Sequence, residues 1–311
     1  MIDFVGKKQW FFLISAVVII VAIASLVVSK VSSGSPLKLG IDFTGGTSMT
    51  LDFTPQVEHD QLRQAFTNLG HPEAITQRSG DDFFIRLKEI SPQERQDLTE
   101  GLKTSLGSEI TARDYNTISP SIATETASKA GIAVIIAAVA MLLYIAWAFR
   151  RMPSPFRWGT CAIIALIHDV LIVVGIFSIL GQVANVEVNA MFITGLLTVV
   201  GYSINNTVVV FDRIRENMSK GISPDFAVTV NSSLIETLGR SLNTSLTTLC
   251  VILALLLFGG ATIHHFILVL FIGLLAGTYS SLFIAGPLLV VWEKREWGQL
   301  FPWLPLVKKS A

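Results

Sequence analysis

The chain has 311 residues, 51% of them hydrophobic and only 15% charged, and its mean hydropathy is +0.60. The apolar residues fall in long uncharged blocks instead of helical stripes, which excludes an ordinary soluble protein and indicates an integral membrane protein. Formal net charge is zero, so the total carries no information about partners; the distribution of charge along the chain does.

In chain order, the first block, Trp10 to Val28, is long enough to cross a hydrocarbon core of about 20 residues. It lacks an Ala-x-Ala cleavage pattern, since Ser29, Lys30 and Val31 follow it, and reads as a retained anchor. Residues 31–128 then read as one small soluble domain, with recurrent turn signals (SSGSP, LGHP, RSGDD). It holds 8 Lys and Arg against 14 Asp and Glu, a net charge of about six negative, which excludes a nucleic-acid surface.

Within that domain, Ile41, Phe43, Met49, Leu51 and Phe53 alternate around Gly45-Gly46, predicting a strand over Leu39 to Phe53 with a sharp bend at the glycines. The stretch GIDFTGGT has no lysine entering a helix, so a phosphate cradle is rejected. Thr54-Pro55 is expected to open a helix through Val57, Leu62, Phe66 and Leu69 to Gly70. Two strands follow, Ala74 to Arg78 and Phe83 to Leu87, around a Ser79-Gly80-Asp81 turn. Ser91-Pro92-Gln93-Glu94 is a capping box with proline at the first helical position, starting a helix that ends at Gly107. A strand from Ile110 to Ile118 closes a β-α-β-β-α-β order, the ferredoxin-like split unit.

Five more spans follow: Ala130 to Phe149, Trp158 to Leu180, Val188 to Phe211, Leu242 to Phe258 and Phe266 to Trp292. Residues 129–292 therefore form a second membrane region, and 293–311 a tail. Lysine and arginine collect in alternate loops: Lys7 and Lys8; Arg150, Arg151 and Arg157; Arg213, Arg215 and Lys220; Lys294, Arg295, Lys308 and Lys309. The short loops around Gly181 to Glu187 and Gly259 to Thr262 contain none. The asymmetry places both termini in the cytoplasm and residues 31–128 outside. The two cysteines, Cys161 and Cys250, lie in spans, so no disulfide framework or thiolate metal site is expected. His264-His265 has no matching carboxylate cluster and is a weak metal candidate.

A polar group inside a span costs on the order of 2.5 kcal/mol or more when charged, so it faces a bundle interior and carries function or pairs with another group. The candidates are His168 and Asp169 in the third span, Tyr202, Ser203, Asn205, Asn206 and Thr207 in the fourth, and Arg240, Asn243, Thr244, Ser245, Thr247 and Thr248 entering the fifth. On the fourth span, Tyr202 and Ser203 lie four and three residues before Asn206, so one face can present a polar stripe. For Asn205 interhelical packing is the favoured role. His168-Asp169 reads equally as a satisfied pair or a proton relay, because sequence neighbours point to different sides of a helix. Arg240 reads equally as a site residue or a border cation. No spacing marks a nucleophile and oxyanion hole, so an enzyme is not the leading reading.

Several long motifs carry a resemblance: IDFVGKKQWFF, LGIDFTGGTSM with Gly40, Asp42, Gly45 and Gly46, ISPSIATE, IALIHDVLIVVGIFSI, VVGYSINNTVVVFDRIREN and ETLGRSLNTSLTTL. Over nearly its whole length the chain resembles the SecD/SecF protein-export family of the resistance-nodulation-division superfamily, on the SecF side. The resemblance implies an accessory subunit in the cytoplasmic (inner) membrane of a bacterium. It would work with SecD, the SecYEG channel, YajC and YidC on unfolded preprotein, driven by a proton or sodium gradient, without a cofactor. It also implies that the six spans are half of a twelve-span unit completed by SecD. The family pattern Ser-x-Asn-Asp puts an ion-coupling aspartate where this chain has Asn206, with Arg240 as its counter-ion, and an amide cannot titrate. Three readings stand: a deliberate substitution that traps one conformational state, a natural member with coupling moved elsewhere such as to Asp169, or one that no longer couples; the first ranks highest. The other functional readings are a small-molecule or lipid exporter of the same superfamily and a non-transporting scaffold tying SecD to the channel.

Overall fold

The structure is a computed structural model, and it describes residues 3–150, 152 and 154–299. Arg151, Lys308 and Lys309 of the loop-charge pattern, and the tail from 300 on, lie outside the described residues. Two compact units emerge, Leu39–Gly131 and the remainder.

The smaller unit holds a four-stranded sheet of β1 (Gly46–Thr54), β2 (Ile75–Ser79), β3 (Asp82–Leu87) and β4 (Glu109–Ile118), all neighbours antiparallel in the order β2-β3-β1-β4. Alternation along β1 buries Met49, Leu51 and Phe53, and β3 buries Phe83, Ile85 and Leu87, so one face of the sheet is apolar. Against it lie Leu62, Ala65 and Phe66 of α3 (His59–Asn68) and Leu98 and Leu102 of α4 (Pro92–Leu106), at the three- and four-residue spacing of a helix face. The capping box forms as its sequence requires: Glu94 N–H donates to Ser91 Oγ at 3.2 Å, Ser91 N–H donates to Glu94 Oε2 at 2.7 Å, and Gly107 ends the helix at φ 62°. The strands and helices thus follow the expected β-α-β-β-α-β order.

Two local expectations fail. Leu39 to Phe53 is not one bent strand: Ile41–Thr44 is a helical turn, α2, and β1 begins only at Gly46. Gly45 N–H donates to Ile41 O, Thr44 Oγ1 donates to Gly40 O, and Arg86 donates to Leu39 O and to Thr44 Oγ1, so side chains outside the segment hold the turn. The alternation of Ile41 and Phe43 was therefore a coincidence of a four-residue element too short to show its period. Likewise Thr54-Pro55 does not open a helix. Thr54 is still paired with Glu109, and α3 starts at His59 behind an extended Glu58.

Among the described residues six helical spans are long and apolar enough to cross a membrane, and all but the first turns of the second, up to Gly131, belong to the larger unit. They are α1 (Lys8–Ser33), α5 (Pro120–Ala148), α6 (Pro155–Val183), α7 (Ala190–Ser219), α8 (Phe226–Phe258) and a sixth span from Ile263 to Glu293. That last span is composite: α9 (Ala261–Ser280) runs through a π-helical turn, Ser281–Ala285, into α10 (Gly286–Glu293). Pro287 has no N–H and crowds the carbonyl four residues back, and a widened turn immediately before it relieves both problems. Helix α5 begins at Pro120, ten residues ahead of the expected span, inside the segment expected to be soluble.

Small residues set the closest approaches. A Cβ on Gly175 of α6 would lie 2.2 Å from Ala22 Cβ of α1. On the α7–α9 pair, a Cβ on Gly195 would lie 2.9 Å from Val269, one on Gly273 2.2 Å from Val199, and one on Gly277 3.1 Å from Ser203 Cβ. Gly273 and Gly277 are four apart on one face, the small-xxx-small spacing by which membrane helices pack backbone to backbone. Helix α8 turns a hydroxyl stripe inward, Thr229, Ser233, Thr237, Ser241 and Ser245, spaced every four residues and all buried. At one end of the bundle the helix termini are tied by ion pairs: Lys8 to Glu296, Arg157 to Glu293, and Lys294 to Asp225, the N-cap of α8. Hydrogen bonding to Lys294, then to the Ala227 N–H, holds the Asp225 carboxyl below the usual aspartate range.

Candidate functional site

Asp169 sits on α6 with its side chain wholly enclosed, and it is the one carboxylate counted as buried among the described residues. An unpaired carboxylate at such a position would be prohibitively costly, so its surroundings must supply donors. They come from three helices. Ser203 of α7 donates to Asp169 Oδ2 at 2.5 Å, Ser280 at the end of α9 donates to the same oxygen at 2.7 Å, and His168 Nδ1 meets Oδ1 at 2.9 Å. His168 Nε2 lies 3.0 Å from Ser15 Oγ of α1, and the Tyr279 ring stacks on the imidazole with centroids 6.2 Å apart. A carboxylate only accepts hydrogen bonds, so Nδ1 carries a proton, and in the neutral imidazole Nε2 then accepts from the Ser15 hydroxyl. One node therefore joins α1, α6, α7 and α9.

The expectation that His168 and Asp169 point apart is corrected here. Both belong to the buried face of α6, and rotation about their side-chain torsions closes the pair across one peptide unit. The expected polar stripe on α7 also divides. Ser203 serves Asp169, whereas Tyr202 turns to α8, its hydroxyl 3.3 Å from Ser245 Oγ, which in turn accepts from Thr278 of α9 at 2.7 Å. Thr207 donates to Ser203 O and is spent within its own helix. Asn206 is 4% exposed, and its Nδ2 has no hydrogen-bond partner among the described residues. Asn205 is exposed on α7 and packs against no other helix of this chain among the described residues.

Arg240 and Asn243 belong to α8, not to a loop, and both are exposed. Arg240 lies 14 residues into the helix, or about 21 Å along its axis. The structure brings neither into the Asp169 node. Sequence reasoning missed Ser15, Thr278 and Ser280. Single hydroxyls in apolar spans are a weak signal, since most satisfy themselves on a carbonyl one turn back. The π turn that follows Ser280 had no reading at all, although Pro287 was its visible cause.

Beside the node a cleft of about 260 Å³ runs between α1, α6 and α9, walled by Ile14, Val18, Ile172, Ile176, Ile272 and Leu275, with Ser15, His168 and Tyr279 also on its lining. In the smaller unit the Gly40, Asp42, Gly45 and Gly46 motif forms a structural corner. Gly45 has φ 73° and Gly46 φ 120°, and a Cβ on Gly46 would stand 2.5 Å from the Leu87 carbonyl oxygen.

The family model for "Protein export membrane protein SecD/SecF, C-terminal" matches residues 99–295. The chain belongs to the SecD/SecF family. A second model, "SecD/SecF GG Motif", matches residues 32–57, which contain the Gly45-Gly46 corner. The chain is 42% identical to the protein translocase subunit SecF of Thermobaculum terrenum and 39% identical to that of Anaerolinea thermophila, in each case over 97% of both chains. It is 37% identical to the SecDF protein of Thermus thermophilus over 90% of this chain but only 38% of that longer one. The crystal structure of Thermus thermophilus SecDF, described as a translocon-associated membrane protein, superposes with a TM-score of 0.81 at 36% identity. It covers 94% of this chain and 39% of that one. SecD/SecF proteins thus occur both as separate chains and as fusions in which this chain corresponds to one part.

Proposed function

We propose that the chain is the SecF subunit of a Sec translocase, pairing with SecD to promote preprotein export from the energy of a proton or sodium gradient. The observation that carries the ion-coupled reading is Asp169, a buried carboxylate held by donors from three helices in the middle of a six-span bundle. Such a node can bind and release a cation, which is transport chemistry, and the relatives are named as translocase subunits. The SecDF fusions among its relatives support SecD as the partner. So does the outer face of α7 and α8, where Asn205, Arg240, Asn243, Thr244 and Thr247 are exposed. Arg240 stands two residues before the apolar half of α8 that starts at Leu242, and a guanidinium exposed on the helix side there favours a protein neighbour over lipid. SecYEG, YajC, YidC and the unfolded preprotein complete the proposed assembly. In this reading both termini are cytoplasmic, by the loop-charge asymmetry, and the unit Leu39–Gly131 faces the exterior.

Asn206 occupies the family's aspartate position, and its unpartnered buried amide costs on the order of 1–3 kcal/mol, a mark of a position kept for something other than packing. Replacing it tests the reading. In a strain that relies on this chain, Asn206→Asp increases gradient-dependent export, measured as the rate at which a secreted precursor matures. Unchanged export in a normally accumulated Asn206→Asp protein would refute position 206 as the carrier.

A further inference from the structure

The closest helix contacts sort the bundle around Asp169 into two pairs, α1 with α6 and α7 with α9. The first pair is closed at Gly175 and Ala22, and the second at Gly195, Gly273 and Gly277, where an added methyl would lie 2.2 Å from Ala22, 2.9 Å from Val269, 2.2 Å from Val199 and 3.1 Å from Ser203. Packed pairs of this kind move as rigid bodies, because a close-packed contact has no soft intermediate. His168 is bonded to its own pair through Ser15, whereas Asp169 is bonded across to the other pair through Ser203 and Ser280. The cleft lined by Ile14, Val18, Ile172 and Ile176 on one side and Ile272 and Leu275 on the other lies between α1 and α6 and the partner helix α9.

We propose that Asp169 is a proton-binding site whose charge state latches the α1–α6 pair to the α7–α9 pair. As a carboxylate it accepts from both serines at one oxygen, and each bond is charge-assisted. A proton added to the carboxylate turns one oxygen into an O–H donor and neutralises the other, so two hydroxyls can no longer both donate to a charge. Ser280 already has an alternative acceptor in its own helix, Gly277 O at 3.4 Å. Its hydroxyl therefore has two resting places, one across the junction and one within α9. The π turn beginning at Ser281 gives the backbone after Ser280 a second register to settle into, since such turns convert to α-helix by a one-residue shift. Neutralised, the two cross-junction bonds lose their charge assistance and the cleft beside them is free to widen. The titratable groups facing Asp169 are His168 on its own helix and, behind the imidazole, Tyr279 on α9; α1 and α7 contribute the hydroxyls of Ser15 and Ser203. Among the described residues no lysine or arginine bonds to it. This latch deepens the ion-coupled reading above and rests on it for its purpose, but not for its test.

The test is the separation of α6 and α7 in the full chain, reconstituted in lipid nanodiscs. Spin labels go on Phe156→Cys and Ser219→Cys, exposed positions at the same end of antiparallel α6 and α7, with Cys161 and Cys250 replaced by alanine. Pulsed electron resonance is read across a pH series at fixed sodium and a sodium series at fixed pH. The wild-type distance should shift with pH by on the order of 2 Å, the scale of helix displacements at such junctions. Asp169→Asn should hold the low-pH distance at every pH, and His168→Gln should still shift. Identical distances across pH in the wild-type chain overturn the latch, as does a shift that follows sodium instead of protons. A shift that persists in Asp169→Asn but vanishes in His168→Gln overturns it too, by moving the switch to the imidazole. Export is measured separately: a normal export rate in Asp169→Asn refutes ion coupling through this residue without touching the distance result.

Discussion

At the Gly45-Gly46 corner a single methyl group should do far more harm than its size suggests. Gly46 has φ 120°, a region closed to L side chains, which costs on the order of 1–3 kcal/mol when forced. Its Cβ would meet the Leu87 carbonyl oxygen at 2.5 Å, and that atom is backbone, so relief means displacing the end of β3. Thr47 pairs with Leu87 in the ladder, and losing one such hydrogen bond adds about 1 kcal/mol. Gly46→Ala should therefore lower the local opening free energy of β1 and β3 by about 2 to 4 kcal/mol. Gly80→Ala is the control, since Gly80 has φ 65° but open space where the methyl would go; the left-handed penalty alone gives about 1 kcal/mol. Native-state hydrogen exchange on the full chain reads both. The protection of Thr47 to Leu51 and Phe83 to Leu87 should fall roughly 30- to 700-fold in Gly46→Ala, at about 1.4 kcal/mol per tenfold. Equal effects from the two substitutions would refute the reasoning, because the steric part would then count for nothing.

The helix contacts make a similar contrast in the bundle: Gly273→Ala places a methyl 2.2 Å from Val199 and should cost about 1–3 kcal/mol by overpacking. Gly201→Ala meets nothing within 4 Å and should be neutral or stabilise by up to about 1 kcal/mol; thermal unfolding in detergent ranks the two. The α4 capping box is sensitive to pH. The Ser91 N–H holds the Glu94 carboxyl below the usual glutamate range, so the cap is complete above the unfolded value of about 4.3 and fades as pH falls through the lowered folded value. The stability difference between wild type and Glu94→Gln, read by limited proteolysis of α4, should be present near neutral pH and vanish in acid; a difference that grows on acidification would contradict the cap geometry.

How much was legible can be judged from particular residues. The spans were, because a hydrocarbon core demands about 20 apolar residues whatever the neighbours do. So were the α4 boundaries, where Ser91, Pro92, Glu94 and Gly107 act on backbone groups within a few residues of themselves. Asp169 was legible as a candidate because charge in a span is conspicuous. The α2 turn was not, since Arg86, 42 residues beyond Thr44, supplies its cap.

The sequence by itself determined the membrane class, the six spans, the β-α-β-β-α-β order and the family, all properties carried by composition, period and contiguous motif. Only the tertiary structure decided which polar residues form the site. It joined Ser15, His168, Asp169, Ser203 and Ser280 across four helices and left Arg240 and Asn205 on the outside. The physical reason is that a hydrogen bond between helices depends on their rotation and separation. In this bundle those are set by glycine contacts between residues far apart in the chain: Gly175 on α6 meets Ala22, and Gly277 on α9 meets Ser203, so that Asp169 finds both of its serines.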